Sequence, residues 1–143
     1  MIVASILNGK GTTVLSVAPD MSVRDAARFL KDKGIGAAVV LDETRKLVGI
    51  LSERDVLTGV ADRGASALTE SVSDIMTSDV LTCGLTTPIG VLMTTMTDRR
   101  VRHLPVVEND RVVGVVSIGD VVKSRIAEAV TEAEALKAYI ASG

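Results

Sequence analysis

The sequence has one cysteine, one histidine, one phenylalanine, one tyrosine and no tryptophan, and each scarcity excludes something. A lone Cys83 can form no internal disulfide and no cysteine-rich zinc site. So few aromatic rings offer no platform on which successive bases could stack, which argues against single-stranded nucleic-acid binding. Sixteen Lys+Arg against eighteen Asp+Glu leave a net charge of −2 and no long basic stripe, so duplex DNA is no better a partner. No apolar run approaches the roughly 18 residues of a membrane-spanning helix. The opening Met1-Ile-Val-Ala-Ser-Ile-Leu-Asn-Gly-Lys-Gly11 lacks the charged start and cleavage region of a secretory signal. The expectation is a cytoplasmic protein with neither membrane nor nucleic acid as partner.

The means of catalysis are equally sparse. One His and one Cys offer few nucleophile–base pairs, and there is no His-Glu-x-x-His, no metal-ligand cluster and no Gly-x-Gly-x-x-Gly. Asn8-Gly-Lys-Gly-Thr-Thr13 has the look of a phosphate loop. However, Lys10 is followed by Gly11 rather than Ser or Thr, and Ala4 stands where the first glycine belongs; it reads as a turn. No catalytic residue, no metal and no enzyme activity are expected.

What is present is aliphatic side chain, within a 47% hydrophobic composition, and an internal duplication. Val14-Leu-Ser-Val17 aligns with Val80-Leu-Thr-Cys83 at an offset of 66, and the following text keeps step. Ser22-Val23 falls on Pro88-Ile89, and Ala38-Val-Val-Leu41 on Leu104-Pro-Val-Val107. After one residue is lost, Gly49-Ile-Leu-Ser-Glu-Arg-Asp55 meets Gly114-Val-Val-Ser-Ile-Gly-Asp120.

Each copy reads β-α-β-β-α, a mixed α/β (α+β) fold of tandem repeats. Short β-branched runs (13–17, 80–83) lead to helices over about 22–33 and 88–99, with apolar residues at helical spacing. Ser22 caps the first helix. In the second, Thr87 is the expected cap, with Pro88 at the first helical position. Strands 37–41 with 47–52 and 104–107 with 111–117 are joined by charged turns, as in hairpins. The divisions are repeat 1 over 12–64, a linker over 65–78, repeat 2 over 79–127, and a helical extension over 128–143. The small, polar stretch 61–73 marks the connector. The last helix carries Val122, Ile126, Ala129, Val130, Ala133, Leu136 and Ile140 along one side, a stripe that needs cover from its own domain or from another subunit.

The two strand-to-helix junctions carry the chemistry. A serine N-cap with free amides behind it is a seat for an anion. An aspartate three residues later can accept hydrogen bonds from the vicinal hydroxyls of a ribose. The bland alternative is that Ser-x-x-Asp is simply a capping box. The duplication of the whole Gly-apolar-apolar-Ser-x-x-Asp unit favours a nucleotide.

These junctions, the β-α-β-β-α duplication, Asp74-Ile-Met76 and Arg102-His-Leu-Pro-Val106 together resemble a tandem pair of cystathionine-β-synthase-type (CBS) domains, across residues 2–127. The resemblance implies a pseudo-twofold module with two clefts between its repeats, each able to take an adenine nucleotide. By that likeness Ser52 and Ser117 lie near phosphate, and Asp55 and Asp120 hold ribose hydroxyls. Backbone at Ile50, Val115, Gly36-Ala37 and Arg102-His103 meets the adenine edge, and Thr12 and Thr13 line the opposite repeat's cleft. The side chains of Arg102 and His103 are candidate phosphate contacts, and Arg54 can add charge. Arg99 and Arg100 are read as helix-end cations.

The expected function is regulatory. The module senses energy or redox state through AMP, ADP, ATP or NAD(H), with S-adenosylmethionine less favoured. It would be a stand-alone homodimer signalling to an unidentified effector protein. The alternative is a ligand-free structural or interaction module.

Overall fold

The computed structural model describes residues 1–143. Helix α1 (Val3–Lys10) precedes the first repeat, which runs β1 (Ser16–Val17), α2 (Val23–Lys33), β2 (Ala37–Leu41), β3 (Leu47–Ser52) and α3 (Glu53–Arg63). A 3₁₀ turn (Gly64–Thr69) and a short α4 (Val72–Ile75) lead to the second repeat, α5 (Ile89–Arg99), β4 (His103–Glu108), β5 (Arg111–Ser117) and the long α6 (Ile118–Ser142). None of these helices is long and apolar enough to cross a membrane.

Local chemistry accounts for most boundaries. The Ser22 hydroxyl accepts the Asp25 amide at 3.1 Å and starts α2. Gly34, at φ 65°, ends it in the left-handed conformation glycine adopts at little cost. Val23, Ala26 and Leu30 form the buried face of α2. Strand β2 is buried throughout and pairs antiparallel with β3, setting Val39 opposite Ile50. In the turn between them, Asp42 Oδ1 accepts from the Thr44 and Lys46 amides and the Thr44 hydroxyl.

The second repeat departs from expectation in two places. Helix α5 has Pro88 itself as N-cap, and the Thr87 hydroxyl instead accepts the Gly84 amide at 2.9 Å, bracing the preceding turn. The strand expected at 80–83 is reduced to a single parallel bridge between Cys83 and Val106. Cys83 donates to the Pro105 carbonyl at 3.0 Å and accepts from Val107 at 2.8 Å. The next rung would need an N–H from Pro105, which has none, so the ladder stops. Copy one has Val39 at that position, and β1 pairs with β2 through Ser16 and Val17.

The repeats exchange their leader helices. Val3 and Leu7 of α1 are buried in the core of the second repeat with Ile89, Leu92, Leu104, Val106 and Val116. Val72 of α4 is buried in the core of the first with Val17, Ala26, Leu30, Ala38, Val40 and Leu51. The backbone bonds match: Val3 N–H to Thr87 O and Ala4 N–H to Leu85 O in one, Val72 N–H to Met21 O and Ser73 N–H to Pro19 O in the other. Residues 65–78 are therefore packed structure, with Ala67 and Val72 fully buried, rather than a loose connector. Asn8 and Lys10, expected in a turn, close α1, and Gly11 at φ 99° returns its amide to Leu7 O.

The junction glycines make this exchange possible. A Cβ on Gly49 would sit 2.5 Å from Met76 Sδ, and one on Gly114 2.8 Å from Leu7 Cδ2. Each glycine lets the other repeat's leader approach the strand closely.

Candidate functional site

Strand β3 runs into α3 through Ser52, whose hydroxyl accepts the Asp55 amide at 3.2 Å while Asp55 Oδ2 accepts the Ser52 amide at 2.9 Å. Strand β5 enters α6 identically, with Ser117 and Asp120 at 3.1 and 2.9 Å. Both junctions are thus closed capping boxes, and the seat of free amides expected from the sequence is narrower than foreseen. The Glu53 amide donates to Gly36 O at 2.9 Å and the Ile118 amide to Arg102 O at 2.8 Å. A carboxylate has two oxygens and about four lone-pair sites, so a box leaves acceptor capacity to spare. Asp74 likewise accepts from the Ser71 amide at 3.1 Å, so a capping box alone singles out no site. The surroundings do.

A cavity of about 660 Å³ opens between the repeats. Eight of the thirteen residues singled out from the sequence line it: Gly36, Ala37, Ile50, Ser52, Arg54, Asp55, Arg102 and His103. The serine and aspartate of copy one therefore face the cations of copy two. The sequence shows those cations only as an asymmetry between copies, and the structure sets them across the cavity from the copy-one junction, beside its own Arg54. Arg100, read as a helix-end cation, is the left-handed C-cap of α5 at φ 53° and also lines the cavity.

Ile50 plays a different part from the one expected of its backbone. Its amide donates to Thr77 O at 2.9 Å and its carbonyl accepts the Thr77 amide at 3.0 Å, so both groups are engaged. Thr77, Asp79, Val80 and Leu81 complete that wall and were missed from the sequence. A signal existed: the offset of 66 carries Thr12-Thr13 onto Ser78-Asp79, so the leader of copy two was as strong a candidate as that of copy one.

His103 lies half-buried at the meeting of the two repeats. A Cβ on Gly36 would be 3.2 Å from His103 Cε1 and 3.5 Å from Glu53 Oε1, so the glycine keeps the imidazole close. Burial first, and then the Lys10 charge, lower the His103 pKa below its ordinary value, so the ring is neutral near pH 7 and offers one N–H donor. Cys83 is held as the thiol, its pKa pushed up to about 11 by burial.

The other five candidates do not line this cavity. Asp120 and the Val115 carbonyl are both engaged by Lys10, whose Nζ donates to Asp120 Oδ2 at 2.6 Å and to Val115 O at 2.8 Å. Burial raises the Asp120 pKa, but the Lys10 ammonium and the Ser117 amide outweigh it and hold the carboxyl below its usual range. Ser117 serves its capping box, while Thr12 and Thr13 are exposed in the segment between α1 and β1.

Comparison with known proteins bears on this geometry. The family model described as the CBS domain matches residues 11–62 and 72–127. A CBS-domain-containing protein from Agrobacterium tumefaciens aligns with TM-score 0.85 at 45% identity, over 87% of this chain and 92% of that one. A CBS domain protein from Pyrobaculum aerophilum, solved with AMP, aligns with TM-score 0.75 at 29% identity, over 84% and 89% of the two chains. The CBS domain pair of protein MJ0100, solved with 5′-methylthioadenosine and S-adenosyl-L-methionine, aligns with TM-score 0.80 at 26% identity, over 90% and 98%.

Proposed function

The chain belongs to the CBS-domain family, with two such domains in tandem, and on that premise we propose that it is a regulatory module binding an adenine nucleotide between its repeats. The observation that carries the proposal is the composition of one cavity. Asp55 supplies acceptors for ribose hydroxyls. Arg54, Arg100, Arg102 and His103 supply donors for phosphate, and Ile50, Leu57, Val80 and Leu81 supply apolar walls for a base. Its volume of about 660 Å³ lies within the roughly 300–1,000 Å³ of small-molecule sites. AMP, ADP and ATP fit this donor set best, with NAD(H) next. S-adenosylmethionine has no phosphate to engage the three arginines, which Glu53, Asp55 and Asp79 offset in charge within the same cleft. A nucleotide here would touch α3 from one repeat and β4 from the other. Its contacts would favour one angle between the repeats, and an effector protein would read that angle. Catalysis has no part in the reading.

Thermal unfolding tests it. At 1 mM AMP and a dissociation constant of 10 µM, binding stabilises the fold by about 2.7 kcal/mol. For a chain of this size that raises the melting temperature by roughly 5–10 °C. No shift with AMP, ADP, ATP or NAD(H) would favour the second reading, a ligand-free interaction module. The closed capping boxes, which satisfy Ser52 and Asp55 internally, are what favour that reading.

We further propose a homodimer. Val91 of α5, and Ile126 and Val130 of α6 are more than half exposed, on helices that flank the repeats. A second copy would cover them. Sedimentation should give twice the 14.9 kDa chain mass, and Ile126→Glu should lower it to one; a wild-type monomer would refute the dimer.

A further inference from the structure

The two leaders match residue for residue at first. The bonds of Val3 and Ala4 are repeated by Val72 and Ser73, and Leu7 meets Gly114 as Met76 meets Gly49, an offset of 69. The repeats proper match at 66, as Thr87 and Leu85 answer Met21 and Pro19 in those same bonds. Copy one therefore carries three residues more (69 − 66) between leader and first strand. They lengthen its helix: α4 ends at Ile75, whereas α1 runs on to Lys10.

That extension changes what meets the facing strand. In copy two, Thr77 lies on Ile50 and its amide donates to the Ile50 carbonyl at 3.0 Å. In copy one the carbonyl of Val115, the counterpart of Ile50, accepts instead from Lys10 Nζ at 2.8 Å. The same ammonium reaches Asp120 Oδ2 at 2.6 Å, the oxygen that also accepts the Ser117 amide. Asp55, the counterpart of Asp120, has no such cation on it and takes part in no ion pair.

We propose that Lys10 is a self-supplied competitor at the second Ser-x-x-Asp junction: its ammonium occupies the carboxylate oxygen and the carbonyl that a nucleoside would use there, so the chain fills the Asp55 cavity first. The inference rests on the nucleotide reading given above. Ribose hydroxyls approach an aspartate as donors. Asp120 Oδ2 already accepts from both Lys10 and the Ser117 amide, which fills its two lone-pair sites, whereas Asp55 Oδ2 accepts the Ser52 amide alone and keeps one open. The lysine side chain is 41% exposed and leads back to solvent, so a ligand can displace it at a cost. The two junctions thereby differ in affinity although their Ser-x-x-Asp motifs are the same.

Calorimetric titration with AMP of the wild type and of Lys10→Met decides the matter. Methionine keeps most of the aliphatic length and removes the charge. The wild type should show one tight event, with a second at least about tenfold weaker. In Lys10→Met the second should tighten by about tenfold and the first should stay within about twofold, as expected for loss of a partly exposed charge-assisted contact. Adding Asp55→Asn to Lys10→Met should weaken the first event alone and so assign the two. Two equal tight sites in the wild type would overturn the inference, as would a second site unchanged, absent or weaker in Lys10→Met. Those results leave nucleotide binding at Asp55 standing. Absence of any binding in both proteins would instead remove the nucleotide reading and this inference with it.

Discussion

Asp55→Asn is expected to weaken AMP binding by about 10- to 100-fold while the protein still folds. Asparagine retains a side-chain oxygen for the Ser52 amide, so the capping box at the head of α3 can persist. It replaces the second carboxylate oxygen with an NH₂, which faces the ribose hydroxyls donor to donor. Hydrogen bonds to a charged group contribute about 1.5–3 kcal/mol, and that range sets the expected loss. Alanine would be a poorer test, because it would also remove the acceptor of the Ser52 amide and so open the capping box. Calorimetry on protein of unaltered melting temperature is the measurement. Affinity equal to wild type would place the ribose elsewhere.

Gly49→Ala is expected to be the most destabilising small change at the repeat interface. Its methyl would lie 2.5 Å from Met76 Sδ and 3.0 Å from the Thr77 carbonyl, and the second of these is backbone that cannot swing aside. Overpacking of this kind costs about 1–3 kcal/mol, which lowers the melting temperature by roughly 3–10 °C. Gly114→Ala should cost less, since its methyl meets only the end of the Leu7 side chain, which can re-pack. Adding Met76→Ala to Gly49→Ala should recover part of the loss, a coupling that a double-mutant cycle would read. A melting temperature unchanged in Gly49→Ala would show that the leader is not seated on the strand. Nucleotide affinity should fall with stability here, because Thr77 is held on Ile50 by the contact being strained.

Much of the fold is legible in local pattern. Ser22 and Gly34 mark the two ends of α2 because a hydroxyl acceptor and a left-handed glycine satisfy backbone groups within one turn. The hairpins follow from apolar runs broken by charged turns, and the truncated strand at 80–83 could have been foreseen from Pro105. The cavity was half legible. Ser52 and Asp55 announce themselves by spacing, and Arg102 and His103 as nitrogen donors at a strand entrance. That these four face one another was not legible, since nothing local records which repeat's hairpin meets which repeat's junction. Thr77, Asp79, Val80 and Leu81 are silent in the sequence for the same reason, and Lys10 sits in a segment whose glycines read locally as a turn.

The sequence by itself therefore determines the duplication, the elements of each repeat and the chemical groups at each junction, all of which depend on residues within a few positions of one another. Tertiary structure alone decided the rest: that each leader crosses to the other repeat's core, that the basic residues of copy two line one cavity with the acid of copy one, and that three extra residues carry an ammonium onto Asp120. These pairings join groups as much as 110 positions apart. Burial of the apolar leaders on the opposite sheets selects them, a free energy shared by the whole interface and encoded in no single motif.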